Sequence, residues 1–403
     1  MRVLLYVQHL QGIGHVVRSS RIARALANNG FSVTVMMGGM PVAGLGINAS
    51  AQGTQDQDIT GSGSLSYIQL PPLKASASSF RDLLDAKDVL ADDAYKQKRR
   101  DRLLEVFVRT RPQVLMIEAF PFDRPQMHFE LLPLLKFAKA FVDPPLIVSS
   151  IRDILQIKPK PERDAKARDL LLDYFDHVLV HGDPRLARLD DTFRHGDEIA
   201  HLVSYTGIVA PDAPIGMPGP TGMPEEKFDV IVSTGGGATA GHRVLNAAME
   251  AKPLTSLRNA RWLALVGPFV ESEYMDSLEA TAIEHGVTLR PFTDNLPVLL
   301  AHARMSVSQA GYNTVADLLR TGCPSVLCPY AGIRQNEQTY RAMRLSRQGV
   351  AQWVADDALS ARAVALAFEE ALVRPRPSVL FDLEGAKHSA AILRQLLTDE
   401  RSV

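Results

Sequence analysis

The stretch Ser308-Gln-Ala-Gly-Tyr-Asn-Thr-Val-Ala-Asp317 has the order of a strand end, a turn of small residues and a helix start. Glycine at Gly311 lets the backbone approach a phosphate closely. The helix that follows presents free N–H groups and the positive end of its dipole to such an anion. Asp317, one turn into the helix, is suited to accept hydrogen bonds from ribose hydroxyls. The stretch predicts a nucleotide-binding turn.

A second strand-loop-helix segment follows directly. Gly322-Cys-Pro324 leads into the apolar run 325–329, and the next helix starts near Asn336-Glu-Gln338. Glu337 and Gln338 can hold the hydroxyls of a sugar. Together with the first stretch, this segment predicts a nucleotide-sugar site.

Two further turns of the second half fit the same site. Gly235, Gly236 and Gly237 follow the predicted strand 229–233, and successive exposed N–H groups there would form an anion cradle. No Gly-Lys-Ser/Thr follows, so the turn is not a P-loop. Phe292, after another strand, either packs against a nucleobase or belongs to the core.

The first turn of the chain contains Gly12, Gly14 and His15, between the first strand and the first helix. Gly12 and Gly14 allow a close approach of the backbone and are candidates for binding the donor. The third glycine of a dinucleotide fingerprint would fall at Val17, so a nicotinamide or flavin site is disfavoured. His15 is a candidate general base, because imidazole titrates near neutral pH. A helix-capping or substrate-positioning role stays open, and His9 in the same turn cannot be separated from it.

Two charged residues end other strands of the first half. Glu118 is a candidate to orient His15 or to bind an acceptor, with a solvated loop carboxylate or a helix cap as the alternative. Arg152 is a candidate for acceptor hydroxyls or an anion, or for a surface pair with Asp153.

Short apolar runs alternate with helical patterns throughout, which predicts an α/β protein with parallel sheets. The predicted strands are 3–7, 31–36, 113–117, 146–150, 177–181, 229–233, 261–266, 287–290, 305–308 and 325–328. The predicted helices of the first half are 18–28, 80–109, 126–141 and 162–174, and a last helix is predicted over 383–397.

The Pro- and Gly-rich segment 207–226 predicts an interdomain linker. We therefore expect domains at 1–206 and 227–377. Fold analogy predicts that the helical segment 378–403 returns to the first domain. The polar segment 46–63 predicts a surface loop.

Composition bounds the functions further. The 403 residues contain 44 basic and 45 acidic side chains, a net charge of -1 that does not favour nucleic acid as a partner. Two cysteines exclude a disulfide framework. No His, Cys, Asp or Glu cluster has metal-ligand spacing, and Asp56-Gln-Asp58 reads as solvated loop charge. We expect no metal and no cofactor, and a cytoplasmic protein that is at most peripheral to a membrane.

The second half resembles glycosyltransferase family 28, through the residues quoted above around Gly235, Phe292, Gly311 and Glu337. The opening loop around Gly12 and His15 resembles that family too. The resemblance implies a GT-B fold, two Rossmann-like doubly wound domains facing a cleft, with the acceptor mainly on the first and the donor on the second. It implies that Gly311 and Thr314 lie near the diphosphate, Asp317 at the ribose, and Glu337 and Gln338 at the sugar. Asn313 is a further candidate for binding the donor.

The opening loop is poorer in glycine than that family's, and Glu337 stands where glutamine or asparagine is common. The sequence therefore predicts a relative of that family with a different acceptor. We expect an inverting, metal-independent transferase that moves a hexose-type sugar from a UDP-sugar or another NDP-sugar, with His15 and Glu118 in catalysis. The acceptor, lipid-linked, polysaccharide or small molecule, stays open. A nucleotide-sugar hydrolase, a 2-epimerase or a non-catalytic binding subunit are the alternatives.

Overall fold

The structure of the chain is a computed structural model. It describes residues 1–10, 12–42, 54–55, 61–76, 82–212, 227–235, 241–267, 270, 272–291, 293, 295–332, 336–374 and 381–399. Contacts between Cα atoms divide the chain into two units. Unit 1 comprises Met1–Pro184, Arg188–Val209 and Glu384–Val403, and unit 2 comprises Arg185–Ala187 and Ala210–Leu383.

Unit 1 is an α/β unit. Its strands are β1 Arg2–Val7, β2 Ser32–Met37, β3 Thr54–Gln55, β4 Ser64–Gln69, β5 Lys74–Ala75, β6 Leu83–Leu84, β7 Val114–Glu118, β8 Leu146–Arg152, β9 His177–His181 and β10 Val203–Tyr205. Its α-helices are α1 Gly14–Asn28, α2 Asp93–Thr110, α3 His128–Lys139, α4 Pro161–Tyr174 and α11 Gly385–Asp399. Short 3-10 helices cover Pro125–Met127, Leu189–Asp191 and Asp197–Leu202.

The main sheet of unit 1 has the order β10-β9-β8-β7-β1-β2-β4-β3. All neighbours pair in parallel except β3 with β4. Every residue of β7 and β9 is buried, as expected for parallel strands that are covered on both faces. The carboxyl ends of β1, β7, β8 and β9 therefore share one edge, where loops gather and α/β proteins build their sites.

Unit 2 is a second, separate α/β unit. Its strands are β11 Val230–Ser233, β12 Trp262–Val266, β13 Thr288–Pro291, β14 Met305–Ser308, β15 Ser325–Leu327 and β16 Gln352–Trp353. Its α-helices are α5 Gly241–Ala251, α6 Met275–His285, α7 Leu296–His302, α8 Tyr312–Thr321, α9 Glu337–Arg347 and α10 Ala361–Leu372. Its 3-10 helices are Lys252–Leu254, Ser272–Tyr274 and Asp356–Ala358.

The unit 2 sheet has the order β13-β12-β11-β14-β15-β16, all parallel. Counted along the chain this is 3-2-1-4-5-6, the order of a dinucleotide-binding doubly wound fold. The order reverses between β11 and β14. Ligands of such sheets bind at the carboxyl ends of the strands where the order reverses, so the fold singles out the loops that begin at Thr234 and Gln309.

The ten predicted strands correspond to strands of the structure, with ends that shift by one or two residues. The helix predicted over 80–109 is wrong in its first half. There β6 pairs with β5, and the Asp85 carboxylate accepts the N–H groups of Lys87 and Val89 at 2.8 and 3.0 Å. This local turn competes with a helix, and α2 starts only after Asp92, whose side chain accepts the N–H of Tyr95 at 2.7 Å.

Several predictions fall on residues outside the described ranges. Of the predicted linker 207–226, the structure describes only 207–212, and of the polar loop 46–63 only 54–55 and 61–63. The last helix, predicted over 383–397, is α11 of unit 1, where it packs against α1. Its sequence gave no indication of this neighbour, because an amphipathic helix fits any apolar surface of suitable shape.

Candidate functional site

The edge of unit 2 where β11 and β14 end is built on a buried ladder of hydroxyls. Ser233 and Ser308 stand opposite each other in register, and their Oγ atoms lie 3.0 Å apart. Ser306 Oγ lies 2.7 Å from Ser308 Oγ. The small side chains let the two strands end level with each other, so that both following loops leave from one point.

The loops that leave this point both begin with the residues predicted from sequence. Gly235 has φ +67°, a conformation that side chains other than glycine rarely adopt. Gly311 precedes α8 as its N-cap and offers no side chain to cap the helix. The start of a helix presents N–H groups that suit an anion. A Cβ on Gly267, after β12, would meet the Gly235 carbonyl at 2.6 Å, which shows how closely a third loop approaches.

Thr314 connects the two glycine turns. Its Oγ1 would lie 3.6 Å from a Cβ at Gly235 and 3.9 Å from one at Gly311. Thr314 is buried, and Asn313 beside it in the first turn of α8 is half-buried. The structure thus brings together three of the residues predicted near the diphosphate: Gly235, Gly311 and Thr314.

Two residues of this edge were missed from sequence. Thr234 Oγ1 and Gln309 Nε2 are buried and have no hydrogen-bond partner among the described residues. They directly follow Ser233 and Ser308, which face each other in register. Leaving a buried polar atom unpaired costs about 1–3 kcal/mol, so a polar ligand at this point would relieve both. Nothing in their residue types distinguishes them from ordinary loop residues, and only the strand order makes them neighbours.

The residues predicted at the ribose and at the sugar are held by α8 and α9. Asp317 lies on α8 and is buried. Glu337 Oε1 accepts from the buried Arg341 at 3.0 Å, while Arg341 also donates to the Ala310 carbonyl at 2.8 Å. Gln338 Oε1 accepts the N–H of Tyr330 at 3.2 Å. Arg341 therefore ties the start of α9 to the loop before Gly311, a link that sequence reasoning missed.

Three of the predicted donor-binding residues, Gly236, Gly237 and Phe292, lie outside the described residues. Their roles stay predictions.

In unit 1 the predicted catalytic pair is assembled. Gly12 has φ +67° and Gly14 is the first residue of α1, so His15 stands in the first turn of that helix. His15 Nδ1 lies 2.7 Å from Oε1 of Glu118, the last residue of β7. The Glu118 side chain is completely buried, whereas 16% of the His15 side chain is exposed. The alternative of a solvated Glu118 is wrong, since the ends of β1 and β7 meet in the sheet and enclose the carboxylate.

Arg18, one helical turn after His15, is a partner that sequence reasoning missed. Its Nη2 donates to the same Glu118 oxygen, and its side chain is only 3% exposed. Spacing of three residues on α1 places both partners on one face of the helix. A signal was therefore present in the sequence, but no carboxylate could be assigned to Arg18 before β7 was placed beside β1.

Charges around the pair determine its protonation. Burial alone would raise the pKa of Glu118, but His15, Arg18 and Arg124 outweigh it and lower the pKa to about 2. Burial, together with Arg124 and Arg18, also lowers the pKa of His15 below its ordinary 6.5, against the opposing effect of Glu118. At neutral pH the pair is therefore an anionic carboxylate and a neutral imidazole.

His9 differs from His15 in its surroundings. It is buried, and burial with the charges of His15 and Arg124 lowers its pKa to about 4. Its ring sits so close to Gly39 that a Cβ at that position would overlap it. No carboxylate bonds to His9 in the described part of the chain, so the geometry favours His15 as the base and separates the two histidines.

A buried arginine holds the loops at this edge. Arg99 of α2 forms an ion pair with Glu130 at 2.6 Å and donates to Gln8 Oε1 at 2.6 Å and to the carbonyl of Gly38 at 2.7 Å. Gln8 in turn donates to the carbonyl of Leu73 at 3.1 Å. These bonds join the loops after β1, β2 and β4, so the turn that carries His15 starts from a fixed point.

The described residues contain neither a candidate metal cluster nor a candidate membrane-spanning helix. Within the described ranges there is no group of three or more His, Cys, Asp or Glu side chains that could hold a metal ion. Asp56 and Asp58 lie outside those ranges. None of the helices that the structure describes is both long and apolar enough to cross a bilayer.

Comparison with known proteins gives a family for part of the chain. Residues 230–376 match the glycosyltransferase family 28 C-terminal domain. A segment of 139 residues is 32% identical to the UDP-N-acetylglucosamine--N-acetylmuramyl-(pentapeptide) pyrophosphoryl-undecaprenol N-acetylglucosamine transferase of Moorella thermoacetica, over 33% of this chain and 36% of that protein. The transferase numbered 1 of that name in Bacillus cereus is 26% identical over 161 residues, 40% of this chain and 42% of that protein. The matches thus span less than half of these relatives.

Solved structures extend the likeness to both units. Medicago truncatula UGT71G1, complexed with UDP-glucose, matches with a TM-score of 0.60 and 13% identity over 99% of this chain and 98% of that one. The calicheamicin glycosyltransferase CalG4 matches with a TM-score of 0.58 and 15% identity, over 100% of this chain and 97% of that one. The two Rossmann-like units therefore have the GT-B fold, as predicted.

Proposed function

We propose that this chain, whose unit 2 carries a glycosyltransferase family 28 C-terminal domain within a GT-B fold, transfers a sugar from a UDP-sugar to an acceptor hydroxyl. The observation that carries the proposal is the 2.7 Å contact between His15 and the buried Glu118. A protein that only binds a nucleotide sugar has no need of a base that is oriented by a carboxylate. The family match and the glycine turns of unit 2 support the donor class.

The pair is suited to general-base catalysis. Because Glu118 is ionised, it accepts a hydrogen bond, and the proton of the neutral imidazole therefore sits on His15 Nδ1. The lone pair is then on Nε2, which is left to take a proton from an acceptor hydroxyl. Glu118 fixes the tautomer and stabilises the imidazolium that forms, the role that a carboxylate has in a catalytic triad.

Unit 2 would hold the donor. The N–H groups at the start of α8 and after β11 are suited to the diphosphate, with Thr314, Thr234 and Gln309 as further donors of hydrogen bonds. Asp317 would accept from the ribose, and Glu337 and Gln338 from the sugar. Such preorganised donors contribute several kcal/mol when charge develops on a leaving group.

The proposed reaction is a single displacement at the anomeric carbon of the sugar. The acceptor oxygen attacks the anomeric carbon as its proton passes to His15 Nε2, and the bond from that carbon to the diphosphate oxygen breaks. UDP leaves, and the configuration at carbon inverts. We include in the proposal that the N–H groups take the part of a metal ion and that the sugar is of the hexose type.

The curated relatives are named for a lipid-linked acceptor, a pyrophosphoryl-undecaprenol. For this chain we propose three classes of acceptor, namely a lipid-linked molecule, a polysaccharide or a small molecule. The proposal includes a cytoplasmic protein that is at most peripheral to a membrane. Hydrolysis or epimerisation of the UDP-sugar would use the same donor site. UDP or free sugar released without any acceptor would favour those reactions over transfer.

His15→Ala tests the proposal. We expect transfer to fall by about 10²–10⁴-fold, the usual contribution of a general base. UDP affinity should stay unchanged, because the donor residues lie on unit 2. The measurement is incorporation of labelled sugar from UDP-glucose or UDP-N-acetylglucosamine into lipid, polysaccharide and small-molecule fractions of a cell extract.

His302→Ala is the matched control, since His302 is exposed on α7 and bonds only a carbonyl of its own helix. Equal incorporation by the His15→Ala variant and the wild type would overturn the catalytic assignment. Loss of UDP binding in the same variant would indicate a misfolded protein, and Glu118→Gln then provides a second test of the pair.

A further inference from the structure

Arg124, in the loop after β7, has an unusual environment. Only 9% of the residue is exposed to solvent. In the part of the chain that the structure describes, its guanidinium makes a single hydrogen bond, from Nε to the carbonyl of Gln8 at 3.2 Å. A buried cation with so few partners is costly, because it loses hydration without gaining an ion pair.

The acidic groups nearest to Arg124 bond to other residues. Glu118 accepts from His15 and Arg18 through one oxygen, and its other oxygen, Oε2, is buried. The Oδ2 atom of Asp123 lies 3.9 Å from the Nη2 atom of Arg152. Of these two carboxylates, one pairs with Arg18 and the other with Arg152, and neither forms an ion pair with Arg124 in the part of the chain that the structure describes.

Arg124 also belongs to the same edge as the proposed base. Its positive charge acts to lower the pKa of His15, of His9 and of Glu118. The bond from Arg124 to Gln8 ties it to the turn that leads to His15. A ligand group bound to this guanidinium would therefore lie beside the reacting hydroxyl of an acceptor.

We infer that Arg124 binds an anionic group of the acceptor, a carboxylate or a phosphate, next to the hydroxyl that His15 deprotonates. The inference rests on the proposed function and narrows its acceptor to a molecule with an oxyanion near the attacking oxygen. Guanidinium is the side chain best suited to such a group, because it donates two parallel hydrogen bonds to a pair of oxygens.

The bound anion would also change the base. The charged and titratable groups that act on His15 are Glu118 of β7, Arg18 of α1, Arg124 of the following loop, and His9. With Arg124 neutralised by an acceptor anion, the pKa of His15 rises, because a nearby cation no longer opposes protonation. His15 is then a stronger base when the acceptor is present than when only water is, which would disfavour hydrolysis of the donor.

The experiment is an NMR titration of the whole protein labelled with ¹⁵N in its histidines. The pKa of His15, whose signal is assigned with a His15→Gln variant, is measured in inorganic phosphate, in acetate and in chloride at equal ionic strength. We expect phosphate or acetate to raise that pKa and chloride to leave it unchanged. A response to phosphate alone, or to acetate alone, identifies which oxyanion the site takes.

Arg124→Gln should weaken this binding about tenfold or more, the effect of losing a hydrogen bond to a charged group. Arg124→Lys keeps the charge and should retain part of the response, which guards against a variant that fails to fold. Arg163→Gln, at an exposed position of α4, is the matched control and should respond like the wild type.

An unchanged His15 in both phosphate and acetate would overturn the inference, and so would an equal response in the Arg124→Gln variant. UDP binding is measured on the same samples. Intact UDP binding and sugar transfer without an anion response at His15 would reject only this inference. A wild-type protein that does not bind UDP would reject the proposed function itself.

Discussion

At the scale of single residues, Arg18 adds to the effect of burial and of Arg124, which lower the pKa of His15. The Glu118 carboxylate acts in the opposite direction and raises the histidine pKa. Arg18 shares the same Glu118 oxygen, so part of the negative charge is neutralised and the ring stays neutral near pH ~7. The arginine does not touch the reacting atoms in this account; it acts through Glu118.

Arg18→Met should therefore move the acidic limb of the pH–activity profile. A base works only when it is neutral, and the lowered pKa of His15 places that limb below 6.5. Removing the cation raises the pKa of His15, so the limb moves to higher pH. The measurement is kcat/KM as a function of pH, with any acceptor fraction that supports transfer.

Arg18→Lys keeps the charge and should leave the limb near its wild-type position, whereas a purely structural Arg18 would lower activity at all pH values alike. Arg109→Met, at an exposed site of α2, serves as the control. An unshifted limb in Arg18→Met would contradict the role of this residue.

At the scale of elements, the unit 2 edge depends on backbone conformation more than on side chains. Gly235 adopts φ +67° at the end of β11, and Gly349 adopts φ +71° after α9. A Cβ at Gly235 would touch only Thr314 at an ordinary distance, and one at Gly349 would meet nothing within 4 Å. The two glycines therefore carry the same conformational demand, but only one stands at the predicted diphosphate.

Gly235→Ala and Gly349→Ala form a matched pair. Each should lower the free energy of unfolding by about 1–2 kcal/mol, the cost of a left-handed residue with a Cβ. Only Gly235→Ala should weaken the binding of UDP, because the added strain shifts the N–H groups of the turn. Chemical denaturation gives the first quantity and calorimetric titration with UDP the second.

If both variants bind UDP as tightly as the wild type, Gly235 does not belong to the donor site. A loss of affinity in both would mean that UDP binding merely follows stability.

At the scale of the whole molecule, the chain leaves unit 1 after Val209 and returns to it at Glu384. The exit and the return are bonded to each other: Val209 bridges to Glu384, and Gly385 donates its N–H to the Ile208 carbonyl at 3.1 Å. A side chain at position 385 would overlap Gly207. The last helix, α11, then packs on α1, the helix that carries His15.

Leu393→Ala should accordingly destabilise unit 1, although the residue lies near the end of the chain. Leu393 is fully buried on α11, and removing such a side chain costs about 2–5 kcal/mol. The measurement is thermal unfolding with and without UDP, which stabilises the unit that binds it. We expect the UDP-independent transition to fall by several degrees.

Leu366→Ala, at a position of α10 that is 61% exposed, is the control and should change neither transition. A Leu393→Ala variant that lowers only the UDP-sensitive transition would contradict the assignment of α11 to unit 1.

The amino-acid sequence by itself determined the strands, the glycine turns, and the positions of His15 at a helix start and of Glu118 at a strand end. These depend on local chemistry: apolar runs of strand length, the freedom of glycine to turn, and the N–H groups at a helix start. It misread residues 82–92, where the Asp85 side chain and the β5–β6 pairing replace a helix.

Only the tertiary structure decided which loops share an edge. The strand order sets β11 beside β14 and so joins Thr234 to Gln309, and it sets β7 beside β1 and so gives Arg18 its carboxylate. It also shows which of the two histidines, His9 or His15, faces Glu118. Pairings between residues a hundred positions apart depend on packing of complete elements, for which spacing along the chain carries no information.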